Sequence, residues 1–340
     1  MCDAGDQDLE AIAADCRQFA DDFRAAVATR LILAPALIEQ VLVALVAGGH
    51  LLMEGHPGQS KQTLARLLAE AVGLEFVGTT LTSDLPPEAL VGVETVGASS
   101  ETGEGKLEFT PGMLFANVFY AEGVEAASDW VQAVLFEAMR QGLVGLGSHR
   151  HSLPEPFLVV AGVQPVSDEP PAALSPAQLD RFLLQAVVEY PTAEAEHEIA
   201  QRWHALSAQG LEPLRRKDCL AAYRRAVGAM PVTANVAGYA AAVVRATRPG
   251  NDLGPEFVER WIRLGVSPCG LAALVAAAKG RALLDGRTTP TRKDVCAIAR
   301  PVLRHRLIAN EEAAAASLTV DRLLGMLLDT VSIDDEYPAQ

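Results

Sequence analysis

Aromatic residues make up only 5% of the 340-residue chain, and its five cysteines (Cys2, Cys16, Cys219, Cys269, Cys296) never form a C-x-x-C pair. Cysteines so few and so scattered argue against a disulfide framework or a zinc site and suit a reducing compartment. Basic residues are also scarce: 28 Lys and Arg face 43 Asp and Glu, for a formal charge of −15. Phosphate backbones need a positive surface, so no nucleic-acid partner is expected. Long apolar runs are missing as well. The richest stretch, 31–53, is broken by Pro35, Glu39, Gln40 and a Gly48-Gly49-His50 turn, so no membrane span is expected. The first six residues are acidic and lack the basic start of a secretory signal, which favours a cytoplasmic protein. What the chain does have is a 50% apolar content. That excludes a collagen-like or largely disordered protein, and the length suits two domains better than one.

Residues Leu9, Ile12, Ala13, Cys16, Phe19, Ala20 and Phe23 recur at three- and four-residue spacing and predict an amphipathic helix. A second helix is expected from about 35 to 46. Short apolar runs at 51–53, 76–77, 118–120, 157–161 and 183–188 read as buried strands. Helical stretches fall between several of them, at 63–72 closed by Gly73 and at 129–141 capped by Ser128 and closed by Gly142. Strands alternating with helices predict a parallel five-stranded sheet covered on both faces, an α/β fold. Beyond Tyr190-Pro191-Thr192 no strand is expected. Helices are predicted near 192–208, 218–229, 232–247, 255–264, 268–284, 291–309 and 319–331, with Thr291-x-x-Asp294 as a start signal. The expected divisions are an N-terminal helical segment over 1–34, an α/β core over 35–191 and a helical domain over 192–340.

The segment Gly55-His56-Pro57-Gly58-Gln59-Ser60-Lys61-Gln62-Thr63 follows the first strand and opens a helix. That is the setting of a phosphate-binding loop, G-x-x-x-x-G-K-[ST], whose glycines turn backbone N–H groups toward phosphates. Its lysine reaches the terminal phosphates and its hydroxyl holds Mg²⁺. Gly55, Gly58 and Lys61 match this pattern. Ser60 replaces the last glycine, Gln62 replaces the Mg²⁺-binding hydroxyl, and Thr63 comes one residue late. Lys61 either holds a phosphate or is a vestigial, exposed side chain.

From here the chain resembles the MoxR branch of the AAA+ ATPases. Gly49-His50-Leu51-Leu52-Met53-Glu54-Gly55-x-Pro57-Gly58 is similar to that family's entry into the loop. Phe109-x-Pro111-Gly112-x-Leu114-Phe115-Ala116-Asn117, Leu153-Pro154-Glu155-Pro156-Phe157 and Ala177-Gln178-Leu179-Asp180-Arg181-Phe182 resemble its later segments in order. Gly265-x-Ser267-Pro268 and Pro301-Val302-Leu303-Arg304-His305-Arg306-Leu307 resemble its lid signatures. The likeness runs from about residue 35 to 335. It implies an AAA+ P-loop core with a helical lid, ATP or ADP bound between subunits, and usually a hexameric ring, as a homo- or hetero-oligomer. It further implies a chaperone-like role on a protein client, often with a partner carrying a von Willebrand A domain.

Several chemical positions depart from the family pattern. Where an apolar strand normally ends in Asp-Glu, this chain has Ala121-Glu122, so Glu122 remains as the residue that can orient water while the Mg²⁺-securing aspartate is lost. Val124 and Glu125 stand where Asn and Arg are usual. The polar sensor is Gln164, and Cys269 takes the place of the lid arginine. With Gln62 and Ala121 in place, Mg²⁺ binding is not expected to be secured. Arg181 is retained and can face a neighbour's nucleotide, or else form a structural salt bridge.

His149-Arg150-His151 is read as an exposed hairpin rather than a metal site. His197-Glu198 fails as a zinc-protease motif because position 201 is Gln. The basic cluster Arg292, Lys293, Arg300, Arg304, His305 and Arg306 is expected to pack on the acidic core or a partner, and Asp334-Asp335-Glu336 to be a solvated tail. Three functional readings stand: a hydrolysis-deficient assembly subunit, an active remodelling ATPase that tolerates unusual motifs, and an interaction module without nucleotide.

Overall fold

The structure is a computed structural model. It describes residues 8–98, 105–147, 149–164, 174–202, 210–250 and 254–331. Helices α1 (Leu9–Ala28) and α2 (Pro35–Ala47) precede β1 (His50–Glu54), and α3 (Lys61–Ala71) leads into β2 (Phe76–Thr80). Then come α4 (Pro87–Val91), a hairpin of β3 (Gly92–Ala98) and β4 (Gly105–Pro111), and β5 (Val118–Glu122). Helix α5 (Asp129–Gln141) is followed by a second hairpin, β6 (Leu143–Leu146) and β7 (His149–Ser152), and by β8 (Leu158–Val163). The short α6 (Pro176–Leu179) precedes β9 (Phe182–Val187).

Five strands form one sheet in the order β2-β5-β8-β1-β9, each parallel to its neighbours. All five predicted strands are present, four of them within two residues at each end and β2 running three residues further than predicted. Leu51, Leu52 and Met53 are buried because helices cover both faces, which explains the unbroken apolar run. The ends of α5 form as expected: Ser128 Oγ accepts from the Val131 N–H at 3.4 Å, and Gly142 closes the helix at φ 67°. The hairpin at 149–151 is also present. The β3–β4 hairpin was not anticipated, although β4 alternates through Lys106-Leu107-Glu108-Phe109-Thr110.

The second half contains α7 (Ala193–Arg202), α8 (Lys217–Ala229), α9 (Ala234–Ala246), α10 (Glu256–Trp261), α11 (Pro268–Leu284), α12 (Arg292–Leu303), α13 (Glu311–Ala315) and α14 (Val320–Thr330). One expectation is corrected here: β10 (Ile262–Leu264) and β11 (Ile308–Ala309) pair antiparallel. These segments are too short to show a period of two, and only the fold brings them together. The predicted helix near 255–264 ends early where β10 begins, and the one near 291–309 stops at Leu303. The part of the 192–208 prediction beyond Arg202, the acidic start and the tail at 334–336 lie outside the described residues.

Helix α1 packs on the helical half. Phe19 and Phe23 are fully buried, and Phe19 meets Tyr223 of α8 at 6.0 Å between ring centres. Arg215 pairs with Asp15 at 3.1 Å and with Asp22 at 3.2 Å across the same seam. Cys16, Cys269 and Cys296 carry free thiols. Among the described residues, no single helix is long and apolar enough to cross a membrane.

The basic cluster joins the two halves. Arg306 donates to the Phe182 carbonyl at 2.6 Å and the Leu183 carbonyl at 3.0 Å, and pairs with Asp180 at 2.6 Å. His305 Nε2 donates to Phe182 at 3.1 Å, and Arg304 reaches the Gln185 carbonyl at 3.4 Å. β9 is the edge strand of the sheet, and these side chains satisfy its carbonyls from the lid side.

Candidate nucleotide site

The site lies at the carboxyl ends of the parallel strands, where α/β sheets place their ligand loops. The loop after β1 turns through Gly58 at φ 82° and Ser60 at φ 58°. Ser60 therefore holds the left-handed conformation expected of the missing glycine, at a cost of about 1–2 kcal/mol. Its side chain makes no capping bond to α3. Gly55 lies so close to Gln59 and Val188 that any Cβ there would collide with them. Both amide atoms of Gln59 are buried in this loop without a partner.

Lys61 is only 4% exposed, which removes the reading of a vestigial surface lysine. Its ammonium donates to the Gly55 carbonyl at 2.6 Å and the His56 carbonyl at 3.1 Å. Glu122 Oε1 lies 3.2 Å away on the third side. The other carboxylate oxygen of Glu122 accepts from the Tyr120 hydroxyl. Tyr120 and Glu122 are two apart on β5 and so share a face. Burial, reinforced by the Glu122 carboxylate, pushes the Tyr120 phenol well above its ordinary pKa, so it stays protonated as a donor. On the neighbouring β8, Gly162 leaves room for this pair; a Cβ there would strike both side chains.

Ala121 is fully buried, opposite Thr79 and Ala161, and supplies no oxygen. Gln62 is exposed, with its amide lying against Gly78 of β2, while Pro57 and Gly58 are exposed and Thr63 is half-buried. Gln164 follows β8 and exposes its side chain; its N–H donates to Glu125 Oε1 at 3.1 Å. The loop Gly55–Thr63, Glu122 and Gln164 thus converge at one end of the sheet.

Cys269 is exposed at the second position of α11, after Ser267 caps the helix through the Gly270 N–H at 3.3 Å. Arg306 lies directly beneath Gly270. Arg181 is exposed and makes no ion pair among the described residues. The salt bridge at this corner is made instead by its neighbour Asp180, with Arg306. The Arg181 charge contributes only a minor part to the lowered pKa of Glu137, which Arg140 chiefly sets.

The phosphate-binding part of the site fits a nucleotide in shape and charge, with a glycine turn, a buried lysine and unpartnered amide atoms. Mg²⁺ does not fit. It requires oxygen ligands in near-octahedral geometry, usually a carboxylate among them. The two positions that would supply them hold Gln62 and Ala121, and both oxygens of Glu122 are already engaged. Among the described residues, no group of three His, Cys, Asp or Glu can hold a metal ion. Sequence reading missed Tyr120, which looked like one more core residue of β5. The expected packing of Arg306 on the acidic core is present as its pair with Asp180, although its contacts with the β9 carbonyls were not foreseen. The signal for Tyr120 was a hydroxyl two residues before a glutamate on one strand face.

The chain matches the family model for ATPases associated with various cellular activities over residues 50–184, and the AAA lid domain over 256–324. It is 33% identical to the chaperone MoxR1 of Mycobacterium tuberculosis, covering 87% of this chain and 78% of that protein. Identity to YeaC of Bacillus subtilis is 30%, over 86% and 88% of the two chains. The protein MoxR of Methylorubrum extorquens is 29% identical, over 88% and 90%. A solved structure of a candidate ATPase from Cytophaga hutchinsonii superposes with a TM-score of 0.84 at 27% identity, covering 96% of this chain and 98% of that one. An MCM homologue from Methanopyrus kandleri shares the fold at a TM-score of 0.58 and 18% identity, over 91% and 64%. With a parallel-sheet core, a phosphate-binding loop, a lid and relatives matched along most of their length, this chain belongs to the MoxR-type AAA+ ATPases.

Proposed function

We propose that this chain is a hydrolysis-deficient MoxR-type subunit that binds ATP or ADP and acts as a chaperone or assembly component through its contacts. The observation that carries this reading is the donor set around Lys61. A buried lysine is kept for a phosphate, yet no carboxylate or hydroxyl stands where Mg²⁺ would be held. The N–H groups of Gly58, Ser60, Lys61, Gln62 and Thr63 cradle phosphates and Pro57 shapes the turn, while the Gly55 N–H ties the loop to the Val163 carbonyl at 3.0 Å. ATP supplies the transferable phosphoryl group when bound. Glu122 cannot take a proton from water while Tyr120 and Lys61 occupy its oxygens. Gln164 and Cys269 occupy the sensor positions, and a thiol cannot supply the bidentate cation of a guanidinium. The name of the Mycobacterium tuberculosis relative supports the chaperone role.

In this reading the subunit sits in a ring, six-membered as is usual for AAA+ proteins, with copies of itself or with intact relatives. A von Willebrand A-domain protein and a protein client are its proposed contacts. Calorimetric titration with ATP and ADP, with and without Mg²⁺, paired with phosphate release in the same samples, tests it. The expected result is binding that Mg²⁺ does not strengthen, and no turnover. Mg²⁺-dependent binding with turnover would make the chain an active remodelling ATPase instead. No binding at all would leave an interaction module.

A further inference from the structure

An ammonium group has three N–H donors. At Lys61 one goes to the Gly55 carbonyl and one to the His56 carbonyl, and Glu122 Oε1 lies 3.2 Å from the nitrogen as its ion-pair partner. A phosphate arriving at this loop finds two of the three donors on the lysine already taken. It also meets a carboxylate already seated beside it. That carboxylate is held in place: Tyr120 donates to its second oxygen, and the space it fills exists because residue 162 is glycine. Ala121, between the two, points to the opposite face and takes no part.

We infer that Tyr120 is a positioning residue that locks Glu122 against Lys61 as an internal anion, which a nucleotide must displace to bind. The inference rests on the nucleotide-binding reading above and adds to it a built-in competitor. A phenol clamped on one carboxylate oxygen lowers the free energy of the closed arrangement, because a hydrogen bond to a charged acceptor is stronger than a neutral one. Removing the phenol lets Glu122 swing out to solvent. Removing its charge ends the repulsion of phosphate altogether.

Metal-free ATP, titrated by calorimetry in EDTA at neutral pH, compares the wild type with Tyr120→Phe, Glu122→Gln and the double variant. Phenylalanine keeps the buried ring, so packing is retained, and thermal melting confirms that each variant folds. Glu122→Gln is expected to bind ATP about tenfold tighter and Tyr120→Phe about three- to tenfold tighter. The double variant should bind no tighter than Glu122→Gln alone, because the phenol acts only through the carboxylate. Wild-type affinity in both single variants would overturn the lock and leave nucleotide binding intact. So would a Tyr120→Phe gain that persists undiminished in the Glu122→Gln background, since Tyr120 would then act through packing. If none of the four proteins binds ATP, the loop is not a nucleotide site and the lock falls with it.

Discussion

Lys61 brings a full charge into a site where its side chain is almost completely enclosed. An ammonium taken out of water loses several kcal/mol of hydration unless it is paired and hydrogen-bonded. Two loop carbonyls and Glu122 meet that demand without any ligand, so the loop keeps its shape when empty. The next residue back carries strain in the opposite sense. Ser60 sits at φ 58° and ψ 18° with no capping bond to offset it. Ser60→Gly is expected to raise stability by about 0.5–1 kcal/mol, the relieved left-handed strain exceeding glycine's extra unfolded-state entropy. Chemical denaturation of the two proteins measures this, and a lower midpoint for the variant would mean that the serine is accommodated without strain. The positive φ at Ser60 was legible from the motif, because the spacing of Gly55, Gly58 and Lys61 is local. The partners of Lys61 were not, since Glu122 is 61 positions away in sequence.

Helix ends were equally local. Thr291 and Asp294 form the reciprocal capping box that the sequence announces, with the Thr291 N–H donating to Asp294 at 2.7 Å and the Asp294 N–H donating to Thr291 at 3.4 Å. The far end of the same helix could not be read this way. α12 stops at Leu303 because Arg304, His305 and Arg306 turn toward β9, a demand set by a strand more than a hundred residues earlier. Among these side chains Arg306 has the most partners. Arg306→Ala removes four-sided support from Asp180, Phe182, Leu183 and Val302 and leaves Asp180 without its cation. The expected loss is about 3–5 kcal/mol, read from thermal or denaturant unfolding. Faster proteolysis at the junction of core and lid should accompany it. A loss under about 1 kcal/mol would show that the lid is held chiefly by apolar packing.

Across the molecule, the hydrophobic cluster on one face of the sheet runs without a break into α1, α8, α9, α11 and α12, whereas the other face is closed by α4, α5 and the hairpins. The lid is thus packed on the core and pinned to its edge strand. Arg306 reaches both the start of α11, where Cys269 sits, and Asp180, beside Arg181. Arg181 itself is left exposed. Arg181→Ala should change stability by no more than about 0.5 kcal/mol, as for other exposed residues without partners. If Arg181 serves a neighbour, adding this protein to an intact MoxR-type ATPase should raise that partner's phosphate release, and Arg181→Ala should abolish the gain. An unchanged rate with the wild-type protein would remove the trans role.

Composition, the period of apolar residues, short-range caps and the spacing of the loop were sufficient to predict an α/β core with five parallel strands, an all-helical second half and a phosphate-binding loop with Gln62 at its hydroxyl position. Each of those features depends on residues within a few positions of one another, where backbone sterics and spacing act directly. The closed Tyr120–Glu122–Lys61 cluster, the β10–β11 pair and the Arg306 bridge depend on segments brought together from 44 to 126 positions apart. Their partners are chosen by the order of strands in the sheet and by the unmet hydrogen bonds of its edge, neither of which leaves a periodic trace in the chain.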